Sequence, residues 1–185
     1  DSDVTIEYTT GPTSSGRRAF VDPENARVID TIAVARTPAN FGANDSSSLS
    51  YGTLGSSVSK GSTITAAEVE IAHTPGFRTD ASLTLNWPDG SSETIGITNA
   101  RCAGDRCDIL DLLEDRDVTW RALAEMSLTY TVRARNNATA PAAVTVVDGI
   151  RLRVTSRPPG LRATSCATPG CNLIESDTNP NVFFH

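Results

Sequence analysis

"ASLTLNWPDGSSETIGIT", residues 81–98, decides how this chain is read. Leu83, Leu85 and Trp87 share one face of an extended run, and Ile95 and Ile97 share one face of the next. Such alternation marks half-buried strands, because successive side chains point to opposite faces of a sheet. Between the runs, Pro88-Asp89-Gly90 supplies turn chemistry: proline presets φ, aspartate bonds its own backbone and glycine tolerates positive φ. The segment 82–98 is predicted to be a β-hairpin.

The same period extends outward in both directions. "DVTIEYT" (3–9) aligns Val4, Ile6 and Tyr8, "RVIDTIAVAR" (27–36) carries Ile32 and Val34, and "SLSYGTL" (48–54) carries Leu49, Tyr51 and Leu54. "STITAAEVEIAH" (62–73) aligns Ile64 and Ala66, then Val69 and Ile71; the slip of phase between Ala66 and Val69 predicts a β-bulge. "MSLTYTVRAR" (126–135) and "AAVTVVDGIRLRVTS" (142–156) add two further strands, with Val144 and Val146 opening the second. One stretch, "DILDLLEDRDVTWRALAEM" (108–126), has helical phrasing instead. Asp108 can start a turn through "ILDLL", and Thr119 can cap a helix through "WRALAEM". We read it as a short helical crossover with Trp120 and Leu123 tucked beneath a sheet edge.

Many short strands with turns between them indicate an all-β fold, an antiparallel two-sheet sandwich of jelly-roll type, over residues 1–156. "RPPG" (157–160) stops strand pairing. Residues 157–185 are expected to form a cysteine-clipped tail of low regularity, whose apolar ending "NPNVFFH" leads into further sequence. The N-terminal strand, separated from the core by a flexible "GPTSSGRR" (11–18), is expected to close its own sheet or, alternatively, to complete a neighbour's by strand addition.

With 16 Lys and Arg against 22 Asp and Glu, the net charge is −6. That balance excludes a nucleic-acid binder, which needs a basic stripe, and docking on anionic lipid. No apolar run reaches the roughly 18 residues of a spanning helix. Lys60 is the single lysine, so a lysine–asparagine crosslink has one possible donor; it lies in the polar turn "SSVSKGST", where an exposed side chain is expected.

Four cysteines form two C-x4-C motifs, "RCAGDRC" (101–107) and "SCATPGC" (165–171). The turn-forming inserts favour local disulfides, Cys102 with Cys107 and Cys166 with Cys171, over crossed pairing or a shared zinc ion. Disulfides imply an oxidising compartment, so an extracellular or cell-surface location is expected. No metal and no cofactor is assigned.

"KGSTITAAEVEIAH", "TWRALAEMSLTYTVRAR" and "VTVVDGIRLRVTS" together carry a resemblance. Gly61, Ile64, Val69, Ile71, Trp120, Leu128, Val132, Val146, Asp148, Gly149, Ile150, Leu152 and Val154 match a pattern of core and turn positions. Over roughly 50–155 the chain resembles a jelly-roll, galactose-binding-like β-sandwich module of secreted bacterial and phage surface proteins. The tail "CNLIESDTNPNVFFH" resembles the entry into a β-solenoid of pilus-associated actinobacterial surface proteins. The resemblance implies fold and location and transfers no catalytic residue.

Candidate chemistry is sparse. His73, in "IAHTPGF", is expected on a surface loop, and His185 is terminal. Glu68 and Glu70 share the solvated face of their strand, and Asp108, Asp111, Glu114, Asp115 and Asp117 make a local acidic crossover. Asp177, Asn179 and Asn181 have the spacing that opens a calcium loop but lack its glycine and closing glutamate. Trp87 and Trp120 read as core, leaving Phe41, Phe77 and Tyr51 as exposed contacts for a sugar. The sequons at Asn44 and Asn137 are matched by pattern alone. No G-x-S-x-G elbow is present, and the chain is not expected to be an enzyme. The expected role is an extracellular structural or adhesive module, a filament or pilus-associated subunit that self-associates or contacts other surface proteins. The alternative is a carbohydrate-binding module with glycans as partners.

Overall fold

The structure, a computed structural model, describes residues 3–97, 107–135, 142–159, 161–165 and 172–176; of 107, 108 and the last two segments it describes the backbone alone. The strands are β1 (Val4–Tyr8), β2 (Thr13–Ser15), β3 (Ala35–Arg36), β4 (Ser46–Tyr51), β5 (Thr63–Thr74), β6 (Thr79–Asn86), β7 (Ser92–Ile97), β8 (Cys107–Asp111), β9 (Ser127–Ala134) and β10 (Val146–Arg157). Helix α1 (Trp120–Glu125) lies between β8 and β9, and a 3-10 turn spans Pro23–Arg27. Within the segment expected as tail, β11 (Leu161–Ser165) and β12 (Asn172–Ser176) pair with each other.

Two antiparallel sheets face one another. The first runs β1-β10-β5-β8, with β3 also against β10, and the second runs β2-β4-β9-β6-β7. Between them lie Val69, Ile71, Ile150, Leu152 and Val154 from the first sheet and Leu49, Leu83, Leu85, Leu128 and Val132 from the second. This is the all-β sandwich that the alternation implies. The hairpin forms as β6–β7, with Gly90 N–H donating to the Trp87 carbonyl at 3.1 Å and Gly90 at φ 85°. That positive φ is why glycine closes the turn.

The predicted bulge occurs a little earlier than its sequence position, at Thr65, where Ser156 faces Ile64 and Thr155 faces Ala66. A second bulge sits on β10 at Asp148, since Val147 faces His73 and Gly149 faces Ala72.

Three local expectations are corrected. Residues 107–111 form an edge strand rather than a helical turn, because β8 satisfies the outer backbone groups of β5 from Glu68 to Ala72. Thr119 does cap α1, accepting from Ala122 N–H at 3.1 Å, so only the second half of the crossover is helical. Ile32 lies in an exposed bend, 86% accessible, and strand structure begins only at Ala35. Finally, "GPTSSGRR", read as a separator, contributes β2 at the edge of the second sheet, paired with β4.

The N-terminal strand closes its own sheet. β1 pairs with β10 from Val4↔Ser156 to Tyr8↔Leu152. Charge holds it there: Glu7 accepts from Arg151 Nη1 at 3.0 Å and Arg153 Nη2 at 3.2 Å, and Asp3 accepts from Arg157 Nε at 3.0 Å. The arginines alternate along one face of "RLRVTSR", so β10 presents a row of cations to the acidic edge strand.

Candidate functional site

The two sheets present outer faces of different chemistry. On the first, register places Glu7, Arg153, Glu68 and Asp111 in one row and Arg151, Glu70 and Ile109 in the next. These charges are largely spent on each other. Glu70 pairs with Arg151 and with Arg153 Nη2 at 3.4 Å, and Arg153 reaches Glu68 at 3.7 Å. Glu70, expected in solvent, is only 7% exposed, with the guanidinium groups of Arg151 and Arg153 against its carboxylate.

The second sheet is uncharged over most of its outer face. Thr13, Ser50, Thr129, Thr84 and Thr94 form one row across all five strands. Ser15, Ser48, Thr131, Ser82 and Gly96 form the next. Neighbouring hydroxyls bond across strands, Ser48 to Thr131 and Thr84 to Thr94, each at 2.9 Å. The lattice repeats at about 4.8 Å between strands and about 6.8 Å along them. At one end Asp80 faces Arg133 and accepts from Arg135 Nε at 3.0 Å. Here a hollow of about 270 Å³ is lined by Asp80, Ser82, Thr84, Thr94, Thr131 and Arg133.

A second hollow, about 120 Å³, opens where the edges β7 and β8 leave the sandwich uncovered. Trp87, Glu93, Ile95, Leu110, Glu114 and Arg116 are among its lining residues. Trp87 packs into the core as read, but its indole N–H is buried with no hydrogen-bond partner among the described residues. The Arg116 guanidinium lies 4.5 Å from the centre of the Trp87 ring and is held by Asp89 at 3.3 Å and Ser91 Oγ at 3.1 Å. Glu93 pairs with Leu85 in register, so it occupies an inward-facing place in the series that continues with Ile95 and Ile97. A carboxylate in that phase breaks the apolar alternation. This was the signal in the sequence that could have marked the hollow.

A third hollow is lined by Thr31, Val34, Ala72, His73, Thr74, Val146 and Asp148. His73 is a buried strand residue rather than a loop one, its Nδ1 2.8 Å from the Tyr130 hydroxyl. Asp148 accepts from Thr31 N–H at 3.0 Å, tying the 28–33 loop to β10. Asp148 and Gly149, both among the positions that carry the resemblance, thus act as a loop anchor.

The remaining candidates disperse. Phe41 and Tyr51 are fully buried, corrected from surface contacts to core; Tyr51 donates to the Ala26 carbonyl at 2.8 Å, and burial pushes its phenol far above the usual range. Phe77 is exposed, with Arg78 stacked on it at 5.2 Å. In the acidic crossover, Asp111 caps Leu113 N–H at 2.9 Å while Glu114, Asp115 and Asp117 are exposed. Among the described residues no cluster of His, Cys, Asp and Glu is placed to hold a metal. Lys60 is exposed and Asn44 sits at φ 67° on a tight turn. The disulfide candidates Cys102, Cys166 and Cys171, the side chain of Cys107, and Asn137, Asp177, Asn179, Asn181 and His185 lie outside the described residues. Among the described residues, no helix is long and apolar enough to cross a membrane.

No protein-family model and no curated protein matches the chain. Among solved structures it is similar to TmCBM61 in complex with β-1,4-galactotriose, at 11% identity and TM-score 0.46, over 76% of this chain and 86% of that one. It is also similar to carbohydrate-binding modules of the β-sandwich superfamily with promiscuous specificity, at 14% identity and TM-score 0.33, over 79% and 55% of the two chains. A third is the family 11 carbohydrate-binding module from Clostridium thermocellum with a β-1,3-1,4-mixed-linked tetrasaccharide, at 14% identity and TM-score 0.31, over 80% and 87%. At these scores the likeness transfers no residue and no ligand to this chain.

Proposed function

We propose that this β-sandwich is a non-catalytic carbohydrate-binding module of an extracellular or surface protein. One observation carries the reading: the outer face of the second sheet is a hydroxyl lattice ending in the hollow of Asp80, Ser82, Thr84, Thr94, Thr131 and Arg133. Each Ser or Thr hydroxyl both donates and accepts, and the flanking carboxylate and guanidinium add an acceptor and a fork of donors. A polyhydroxylated chain laid across the strands meets complementary groups at every step. The acid–base candidates are committed elsewhere, Glu70 to arginines and His73 to the core.

The filament reading loses one of its supports, since the N-terminal strand is engaged within its own sheet. The cysteine spacing remains the reason for placing the module outside the cell.

The test is a glycan array followed by titration calorimetry with the best ligand. Binding is expected in the millimolar to micromolar range and should fall at least tenfold in a Ser82→Ala/Thr131→Ala variant. Absence of binding to any saccharide, or binding indifferent to that variant, overturns the reading.

A further inference from the structure

We propose that the hollow at the open β7–β8 edge is a second, separate site, one that takes a single neutral sugar ring against Trp87 with Arg116 as a displaceable cover. The proposal rests on the saccharide-binding reading above but uses none of the same residues.

The hollow is polar where the sandwich pattern calls for closure. Glu93 stands in the inward phase of β7, and Asp111, Glu114 and Asp115 add carboxylates at the rim. An acidic rim alone could be a solvated edge. Trp87 supplies the independent observation. It lines the hollow, is 5% exposed, and its indole N–H lacks an acceptor among the described residues. Orphaned buried donors are uncommon and costly in folded proteins. A ligand oxygen would relieve this one.

The cover is weakly held. Arg116 meets Trp87 through a cation–π contact, and its partner Asp89 is mostly solvent-exposed. Partly exposed contacts of these kinds are individually weak and salt-sensitive. A sugar ring can therefore displace the guanidinium and lay its C–H face on the indole. Its hydroxyls then donate to Glu93 and accept from the indole N–H. The carboxylates outnumber Arg116 among the lining residues, so a uronate is repelled while a neutral ring is not.

The whole chain carrying Trp120→Phe leaves Trp87 as its single fluorophore of this kind. We expect methyl β-galactopyranoside or methyl β-glucopyranoside to change its emission saturably, and galacturonate not to. Glu93→Ala, an exposed position that folding tolerates, should weaken the response at least tenfold. Arg116→Ala should tighten it about two- to five-fold, the equivalent of the lost cation–π contact. Emission unchanged by either glycoside, or changed equally in Glu93→Ala, overturns the site. If calorimetry still shows saccharide binding that depends on Ser82 and Thr131, the module reading stands while this site falls. If neither method detects a saccharide, both fall.

Discussion

His73 Nδ1 on β5 and the Tyr130 hydroxyl on β9 lie 2.8 Å apart, a polar bridge between the two sheets inside the core. The rings meet edge to face at 85° with centroids 5.5 Å apart. Removing the hydroxyl takes away one end of a buried hydrogen bond, which costs about 1–3 kcal/mol. Tyr130→Phe should therefore lower the urea midpoint with an unchanged slope. An unchanged midpoint would show the bridge to be energetically neutral.

Glu70 offers a second measurement. It is almost fully buried and paired with Arg151 and Arg153, whereas the Arg121–Glu125 pair at 2.9 Å stands in solvent. Glu70→Ala should cost about 1–3 kcal/mol, because it removes a largely buried acceptor shared by two guanidinium groups, which keep the more exposed Glu7 and Glu68. Arg121→Ala should cost less than about 0.5 kcal/mol and vanish at high salt. Chemical denaturation at low and high ionic strength separates the two.

Gly149 tests the loop anchor. A Cβ there would meet Ile29 N and the Val28 carbonyl carbon, each at 2.9 Å. Gly149→Ala should push the 28–33 loop off β10 and break the bonds from Thr31 and Asp30 N–H to Asp148. Trypsin should then cut faster after Arg27, an exposed residue beside the loop. Asp148→Ala should accelerate the same cut without changing the order of the sheets.

Asp89 governs a pH dependence. Hydrogen bonds from the Ser91 side chain and backbone, with Arg116 nearby, hold its carboxyl below the ordinary carboxylate range. Its contribution is therefore fully present above the unfolded value of about 3.9 and is lost as pH falls through the lower folded value. Carbon NMR should place the Asp89 midpoint below that value, and Ser91→Ala should raise it. Asp89→Asn should destabilise at neutral pH and have no effect in strong acid.

The cysteines can be tested covalently. Trypsin cuts after Arg106, between Cys102 and Cys107, so a local bond there would join two peptides until reduced. Cys166 and Cys171, flanked by the ladder pair Ser165↔Asn172, should lie in one peptide lighter by two hydrogens. Four reactive thiols in the unreduced, denatured chain would remove the main argument for an oxidising compartment.

Much of this fold was legible locally. The β6–β7 hairpin, the strands around Leu49, Ile71, Leu128 and Leu152, the α1 cap at Thr119 and the burial of Trp87 follow from period, turn residues and capping, which neighbouring residues impose on each other. The candidate sites were less legible. Ser and Thr at alternate positions read as ordinary solvated strands. Only strand order and register place Thr13, Ser50, Thr129, Thr84 and Thr94 in one row.

Sequence by itself thus determined the all-β class, the extent of most strands and the turn at Pro88-Asp89-Gly90. Tertiary structure alone decided that 107–111 extends a sheet edge, that His73 and Glu70 are buried, and that Trp87, Arg116 and Glu93 meet at one opening. The physical reason is the range of the forces. Backbone period and turn geometry are settled within a few residues, whereas backbone pairing and the covering of a face depend on segments far apart in the chain. Glu70 makes the point in one side chain: its period assigns it to the outer face, yet it is buried there and paired with arginines some eighty residues away.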